Sequence, residues 1–348
     1  MTERIRIGIV GAGANTREKH IPLLQAIPGV ELVQVCNRSE ESSRRAAEAF
    51  GIPQTAARWE DLVANPDLDA VVIGTWPYLH APITLAALAA GKHVLCEARM
   101  AMNAAEARRM FDASRARPEL VAMIVPSPFT LPWDNTLRRL LREKAIGTLL
   151  HADVFANSGG FFQPDRPMTW RDDRALSGLN TQMLGIYYEA VVRWTGHARL
   201  PVQATARIHG QTRRDAGGGL QTVRIPDHLD VIGSFESGAT FHFRCSQITG
   251  ACPTPNDILL YGSEGTLRLD LSRSELRLLH PDGREETVSV PDHERGAWRV
   301  EEEFIRAIRG LEAVSHTPFS EGVRYMEFTE AVARAAGYAD EDGPPSPP

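Results

Sequence analysis

Ile5-Arg6-Ile7-Gly8-Ile9-Val10-Gly11-Ala12-Gly13-Ala14-Asn15-Thr16 is the stretch that decides the fold class. From Ile5 to Val10 the residues are mostly apolar without strict alternation, as in a parallel strand covered on both faces. The run ends in a glycine turn. Gly11 permits the tight bend, and Gly13 leaves room for a pyrophosphate beside the backbone. Asn15 and Thr16 lie where a helix N-terminus would favour that negative charge. Thr16 stands where the dinucleotide fingerprint would carry its third glycine. Val30–Cys36 (Val-Glu-Leu-Val-Gln-Val-Cys) reads as the next strand and completes a βαβ unit at the spacing a dinucleotide site requires.

The pattern continues outward. Ser39 is a helix cap for Glu40–Phe50, with acids in the first turn and Gly51 as the stop. Strands are expected at 69–74, 93–96 and 120–125, and helices at 81–90 and 104–117. Strands alternating with helices imply a doubly wound parallel sheet. Pro126, Pro128 and Pro132 then mark a boundary. The expected division is a dinucleotide-binding domain over 1–125, an α/β domain over 126–338 and a disordered tail over 339–348, proline-rich from Gly343.

The second part predicts helices at 135–144 and about 180–194, separated by a strand at 148–155 and a proline- and aromatic-rich loop. Strand-like runs follow at 202–209, 229–236, 240–245, 258–261 and 266–271. Turns such as Pro281-Asp282-Gly283 between strands suggest an antiparallel or mixed sheet. Helices near 299–309 and 321–336 are expected to close this domain.

The 348 residues (38.3 kDa) suit two domains rather than one core. A net charge of −6 argues against nucleic acid as a partner. A first strand at Ile5 leaves no room for a signal peptide ahead of it, and no apolar run reaches membrane-spanning length. Cys36, Cys96, Cys245 and Cys252 form no C-x-x-C pair, so free thiols in a reducing cytoplasm are expected.

Three further stretches converge with the opening one. They are Gly91-Lys92-His93-Val94-Leu95-Cys96-Glu97, Thr75-Trp76-Pro77-Tyr78-Leu79-His80, and Trp170-Arg171 ahead of a helix ending Val191-Val192-Arg193-Trp194-Thr195-Gly196. With Tyr261-Gly262-Ser263-Glu264-Gly265-Thr266-Leu267, the chain resembles the Gfo/Idh/MocA oxidoreductase family up to about residue 338. The resemblance implies a Rossmann domain followed by an α/β domain with an open-faced sheet. It also implies a nicotinamide cofactor, small sugar- or cyclitol-like substrates, and a homo-oligomer (dimer or tetramer) assembled through the exposed sheet. It places Thr75, Trp76, Pro77, His80, Glu97 and Arg171 at the cofactor and Trp170 at the substrate.

The sequence departs from the family where protons are handled. Ala98 replaces the lysine of the usual Glu-Lys-Pro, in the run Glu97-Ala98-Arg99. Met183 and Tyr187 occupy the places of an aspartate and a histidine four residues apart. Tyr187 keeps a hydroxyl able to donate or accept a proton. Arg99 is a fixed cation suited to an oxyanion or carboxylate. Asn180, three residues before Met183, is expected on the same helical face and suits a substrate oxygen. The second strand ends in Asn37-Arg38-Ser39 with no acid, which favours NADP over NAD. Arg38 would pair with the 2′-phosphate, and Asn37 and Ser39 would donate to it. No metal site is expected: His209 and Asp227-His228-Leu229-Asp230 lack ligand spacing. An NAD(P)-dependent oxidoreductase is the reading. The alternatives are a lyase, epimerase or hydrolase using a bound nicotinamide, or a non-catalytic dinucleotide-binding protein.

Overall fold

The computed structural model describes residues 4–158 and 160–339. Apart from Ala339, the expected tail lies outside the described residues. The chain divides into two compact units, Met1–Pro126 with Arg299–Met326, and Ser127–Trp298 with Glu327–Pro348.

The first unit is built on six parallel strands, β1 (Ile5–Val10), β2 (Val30–Cys36), β3 (Gln54–Thr55), β4 (Ala70–Ile73), β5 (His93–Cys96) and β6 (Ala122–Ile124), in the order β3-β2-β1-β4-β5-β6. Ile7, Ile9, Val71, Ile73, Val94 and Leu95 are wholly or almost wholly buried, which is why these strands carry no polar alternation. Strand order reverses between β1 and β4, so the crevice at their C-terminal ends is the place where such sheets bind ligands. Residues 14–25 form a continuous helical stretch, π-wound over Thr16–His20 and α-helical in α1 (Ile21–Gln25). The sheet is covered by α2 (Glu40–Phe50), α3 (Trp59–Ala64), α4 (His80–Ala89) and α5 (Ala104–Arg115). Ser39 caps α2 by accepting from the Ser42 amide at 3.3 Å, and Gly51 ends it at φ 66°.

The second unit contains α6 (Asp134–Arg142), β7 (Leu149–Asn157), α7 (Arg174–Ser177) and α8 (Leu184–Thr195). A sheet of eight strands follows the order β16-β15-β14-β13-β7-β12-β11-β8. It uses β8 (Ala198–Arg207), β11 (His228–Phe235), β12 (Thr240–Ser246), β13 (Asp257–Gly262), β14 (Thr266–Asp270), β15 (Glu275–Leu279) and β16 (Glu285–Thr287). Only β7 and β12 run parallel; every other pairing is antiparallel. A separate hairpin joins β9 (Thr212–Arg214) to β10 (Leu220–Thr222). One sheet face is apolar: Val154, Phe241 and Phe243 are buried on it, and Tyr188 of α8 packs there and stacks on Phe328 at 3.8 Å. The other face carries Asp153, Asp230, His242 and Arg244, with half-exposed Phe155 and Ile232.

Two expectations are corrected. The helix expected from residue 180 begins at Leu184, because Gly178 (φ 65°) and Gln182 (φ 47°) turn the chain left-handed just before it. Asn180 is therefore not on a helical face with Met183. The helix near 299–309, α9 (Val300–Ile308), belongs with the first unit rather than the second. Its Glu301 reaches the buried His20 ring. The last helix, α10 (Phe319–Ala335), has its residues up to Met326 in the first unit and the rest in the second.

Candidate functional site

In the first unit the site grows out of the turn after β1. Gly11 sits at φ 87°, and a Cβ there would fall 2.7 Å from the backbone of Gly74 and Thr75. A Cβ on Gly74 would in turn meet Thr16 Oγ1 at 2.0 Å and the Gly11 carbonyl at 2.3 Å. The ends of β1 and β4 thus touch backbone to backbone, and only glycine allows it. Gly13 is different. A Cβ there would have a single neighbour, the Gly74 carbonyl oxygen at 3.4 Å, so its open face looks into space. The first amides of the helical stretch at 14–25 have no intrahelical acceptor and leave an anion-binding end beside that space. Thr75 Oγ1 is buried there without a hydrogen bond among the described residues. This cradle fits the pyrophosphate of a dinucleotide.

Asn37 and Ser39 are engaged otherwise than expected. The Asn37 carboxamide accepts from the Ala12 amide at 2.7 Å and donates to the Ser42 carbonyl and hydroxyl at 3.0 and 3.1 Å, while Ser39 caps α2. Both hold the turn and the helix. Arg38 is exposed and has no ion pair among the described residues.

Glu97, at the end of β5, accepts from Asn15 Nδ2 and from His20 Nε2, the latter at 3.0 Å. His20 is wholly buried, and its Nδ1 lies 2.5 Å from Glu301. Burial alone would lower the His20 pKa, yet the hydrogen bonds to Glu301 and Glu97 outweigh it and raise it to about 9. Glu97 is lowered, because the His20 partner outweighs its burial. The imidazolium ties the glycine turn, β5 and α9 together. Since the folded-state value exceeds the ordinary 6.5, this stabilisation is complete below about pH 6.5 and fades as pH rises through about 9. The melting temperature should therefore fall by several degrees across that window, and His20→Gln should flatten the dependence; an unchanged slope in the variant would refute the assignment.

His80, also wholly buried, has Nδ1 2.8 Å from the Arg99 carbonyl and Nε2 3.0 Å from the Thr75 carbonyl. It fixes the ends of β4 and β5 relative to each other. Trp76 is half-buried and Pro77 buried. The Ala98–Arg99 peptide is cis, and the Arg99 side chain is buried.

In the second unit Tyr187 lies in the first turn of α8, 4% exposed, with Phe129 at 5.2 Å between ring centroids. Its hydroxyl is 3.0 Å from the Asn256 carboxamide. That amide is best satisfied with its nitrogen towards the Pro255 and Asn157 carbonyls, 3.2 Å each, and Tyr187 Oη, 3.0 Å, its two hydrogens shared among the three. The Tyr187 proton is thereby left for another acceptor. Burial, then the neighbouring Cys245 and Asp257, push this phenol well above its ordinary value, so it stays neutral. Asn180 is buried, and its Nδ2 donates to the Ser177 carbonyl at 2.7 Å, a local turn contact. The Arg171 guanidinium stands 4.3 Å over the Trp170 ring.

The sequence reading missed Gly74, His20, Glu301 and Asn256. Gly74 left a signal, a glycine closing a buried strand. Asn256 and Glu301 left none, because their partners are far away in sequence. Among the described residues no three His, Cys, Asp or Glu side chains group as a metal site. His209 bonds Asp227, whereas His228 and His242 bond Asp230.

The reversal of strand order over a glycine cradle defines a dinucleotide-binding α/β protein with a second, mixed-sheet unit. Residues 5–124 match an oxidoreductase family with an NAD-binding Rossmann fold, and residues 135–268 match the GFO/IDH/MocA C-terminal domain. The chain is 30% identical to the dTDP-3,4-didehydro-2,6-dideoxy-alpha-D-glucose 3-reductase of Streptomyces violaceoruber, over 95% of both chains. It is also 30% identical to the 1,5-anhydro-D-fructose reductase of Ensifer adhaerens, over 75% of this chain and 74% of that one. The fold superposes on levoglucosan dehydrogenase in complex with NADH and L-sorbose with a TM-score of 0.82, at 20% identity and covering 97% of each chain. The chain belongs to the Gfo/Idh/MocA family of NAD(P)-dependent oxidoreductases. No described helix is long and apolar enough to cross a membrane.

Proposed function

We propose that the protein reduces a carbonyl on a small, polar, sugar-like substrate with a nicotinamide cofactor, using Tyr187 in place of the family's usual proton-handling residues. The open face of Gly13, beside the interlocked Gly11 and Gly74, carries the cofactor half of this reading. The sugar substrates in the names of the relatives support the other half. A bound nicotinamide supplies or takes up a hydride. Gly11, Gly13, Asn15 and Thr16 would hold its pyrophosphate. Thr75, Trp76 and Pro77 line the neighbouring strand end, and His80 and Glu97 fix the two loops that flank it. Arg99 contributes a fixed, buried positive charge beside Ala98. Tyr187 Oη, receiving a hydrogen bond from Asn256, gives its proton to the substrate oxygen as the carbonyl becomes an alcohol. A neutral phenol suits the reductive direction. Trp170 offers an apolar ring to the substrate, while Asn180 serves the turn before α8.

Arg38, exposed and without an ion pair among the described residues, is the cation of the Asn37-Arg38-Ser39 turn that would meet a 2′-phosphate, and this supports NADP. Arg38→Ala should weaken NADPH roughly tenfold more than NADH, a charged pair contributing on the order of 1–2 kcal/mol. Equal losses in calorimetric titration would remove the preference. Assembly of copies through the open sheet face is supported by Phe155 and Ile232 there, and sedimentation equilibrium reads it directly. Four free cysteines support a reducing, cytoplasmic setting, which fractionation of the source cells would test.

The functional test is absorbance of the reduced nicotinamide across a panel of keto-sugars, sugars and cyclitols. Substrate-dependent oxidation or reduction supports the reading. Product formed with no net absorbance change would point instead to transient oxidation within a lyase or epimerase.

A further inference from the structure

The second unit contains a cleft of about 430 Å³ that no proton-handling residue occupies. Its lining includes three guanidinium groups, Arg166, Arg171 and Arg213, and one carboxylate, Asp227. The charges do not cancel. Arg166 is already forked onto Asp172 at 2.5 and 2.7 Å. Asp227 is turned to the amides of His209 and Gly210 and to the His209 ring, all within 3.0 Å. Arg171 and Arg213 have no ion pair among the described residues.

Arg213 is built in rather than left over. It sits at the centre of β9, 3% exposed, with Nη1 donating to the Gln163 and Arg166 carbonyls at 3.0 and 3.4 Å. Its guanidinium lies against the bare face of Gly210, where a Cβ would come within 2.5 Å of it. Its Nε is buried without a hydrogen-bond partner among the described residues. Burial and the adjacent Arg166 cation hold this guanidinium below its ordinary pKa. Asp172 and Asp227 offset part of that cost without an ion pair to Arg213 among the described residues. A buried guanidinium is costly unless an anion meets it, and the fork geometry suits phosphate oxygens. Phe161, 72% exposed, and Phe162, 39% exposed, stand on the same cleft and offer flat faces to a ring.

We propose that this cleft binds the diphosphate of a nucleotide-activated sugar, so that Arg171 and Arg213 take phosphate oxygens and Phe161 or Phe162 takes the base. The proposal deepens the oxidoreductase reading by naming the substrate class, and it rests on that reading for the identity of the sugar as substrate. It also moves Arg171 from the cofactor, where the family resemblance puts it, to the substrate.

The experiment is calorimetric titration of the full chain, saturated with NADH or NADPH, with dTDP, inorganic pyrophosphate, or glucuronate. With the cofactor present, its own pyrophosphate cannot compete for a free cradle. Binding of dTDP that weakens about tenfold or more in Arg213→Met and Arg171→Met, and weakens with added salt, is the expected result. Arg171→Met removes an exposed side chain, so it keeps the test valid if Arg213→Met fails to fold. Arg213→Lys should recover only part of the loss, because an ammonium lacks the fork. Reduced-nicotinamide affinity should not change in any of them. No dTDP binding, binding indifferent to both arginines, glucuronate bound in preference to both phosphates, or a loss of NADH affinity in Arg171→Met would each overturn the assignment. A missing nicotinamide turnover with dTDP binding intact would instead count against the oxidoreductase reading alone.

Discussion

Gly13→Val is expected to remove measurable NADH and NADPH binding while leaving the melting temperature close to that of the parent protein. The backbone at Gly13 does not require glycine, and an added Cβ meets only the Gly74 carbonyl oxygen at ordinary contact distance. What the side chain takes away is the room for a pyrophosphate. The loss should exceed a hundredfold in affinity, on the order of 3 kcal/mol. Gly74→Ala makes the opposite case. Its methyl group would lie 2.0 Å from Thr16 Oγ1 and 2.3 Å from the Gly11 carbonyl, and the backbone at Gly11 cannot retreat without breaking the turn. Overpacking of this kind costs about 1–3 kcal/mol, so the melting temperature itself should fall. Fluorescence titration and thermal melts of the two variants side by side check the pair. Loss of stability in Gly13→Val equal to that in Gly74→Ala would show that both glycines serve folding only.

Tyr187→Phe should lower turnover by about 10²–10⁴-fold with cofactor affinity unchanged. The variant keeps the ring that packs on Phe129 and removes only the hydroxyl at Asn256. Asn256→Leu should produce a smaller loss, because the phenol would keep its proton but lose the donor that orients it. The phenol's pKa is pushed up by burial, so its ionisation should not appear in the pH–rate profile at neutral or mildly alkaline pH. Unchanged turnover in Tyr187→Phe would make Tyr187 a packing residue. Ala98→Lys alone should not raise the rate, because an added ammonium next to Arg99 meets like charge.

The first half of the chain was legible because its signals are local. The strand at His93–Cys96 carries its own run of apolar residues, and Ser39 with Gly51 frames α2 at both ends. The second half was less so. β15 and β16 went unread, since Glu275, Arg277, Glu285 and Glu286 interrupt the apolar pattern of strands at the sheet's edge. The left-handed Gln182 displaced the start of α8 and with it the geometric argument for Asn180, and nothing in a glutamine announces positive φ. The placing of α9 with the first unit rests on His20 meeting Glu301 across 281 positions, which no local pattern encodes. In the same way the local geometry was readable where glycine spacing reports it, at Gly11 and Gly13. It was unreadable where tertiary structure assembles it, at Tyr187 with Asn256 and at Arg213 over Gly210.

The most direct test of the central claim is the fate of deuterium in a single incubation. The protein is supplied with NADPH deuterated at the transferable position and with a keto-sugar that it converts to product, and the product is weighed by mass spectrometry. The account predicts one deuterium on the new carbinol carbon for each nicotinamide oxidised. Product carrying no label, formed without stoichiometric oxidation of the nicotinamide, would contradict it.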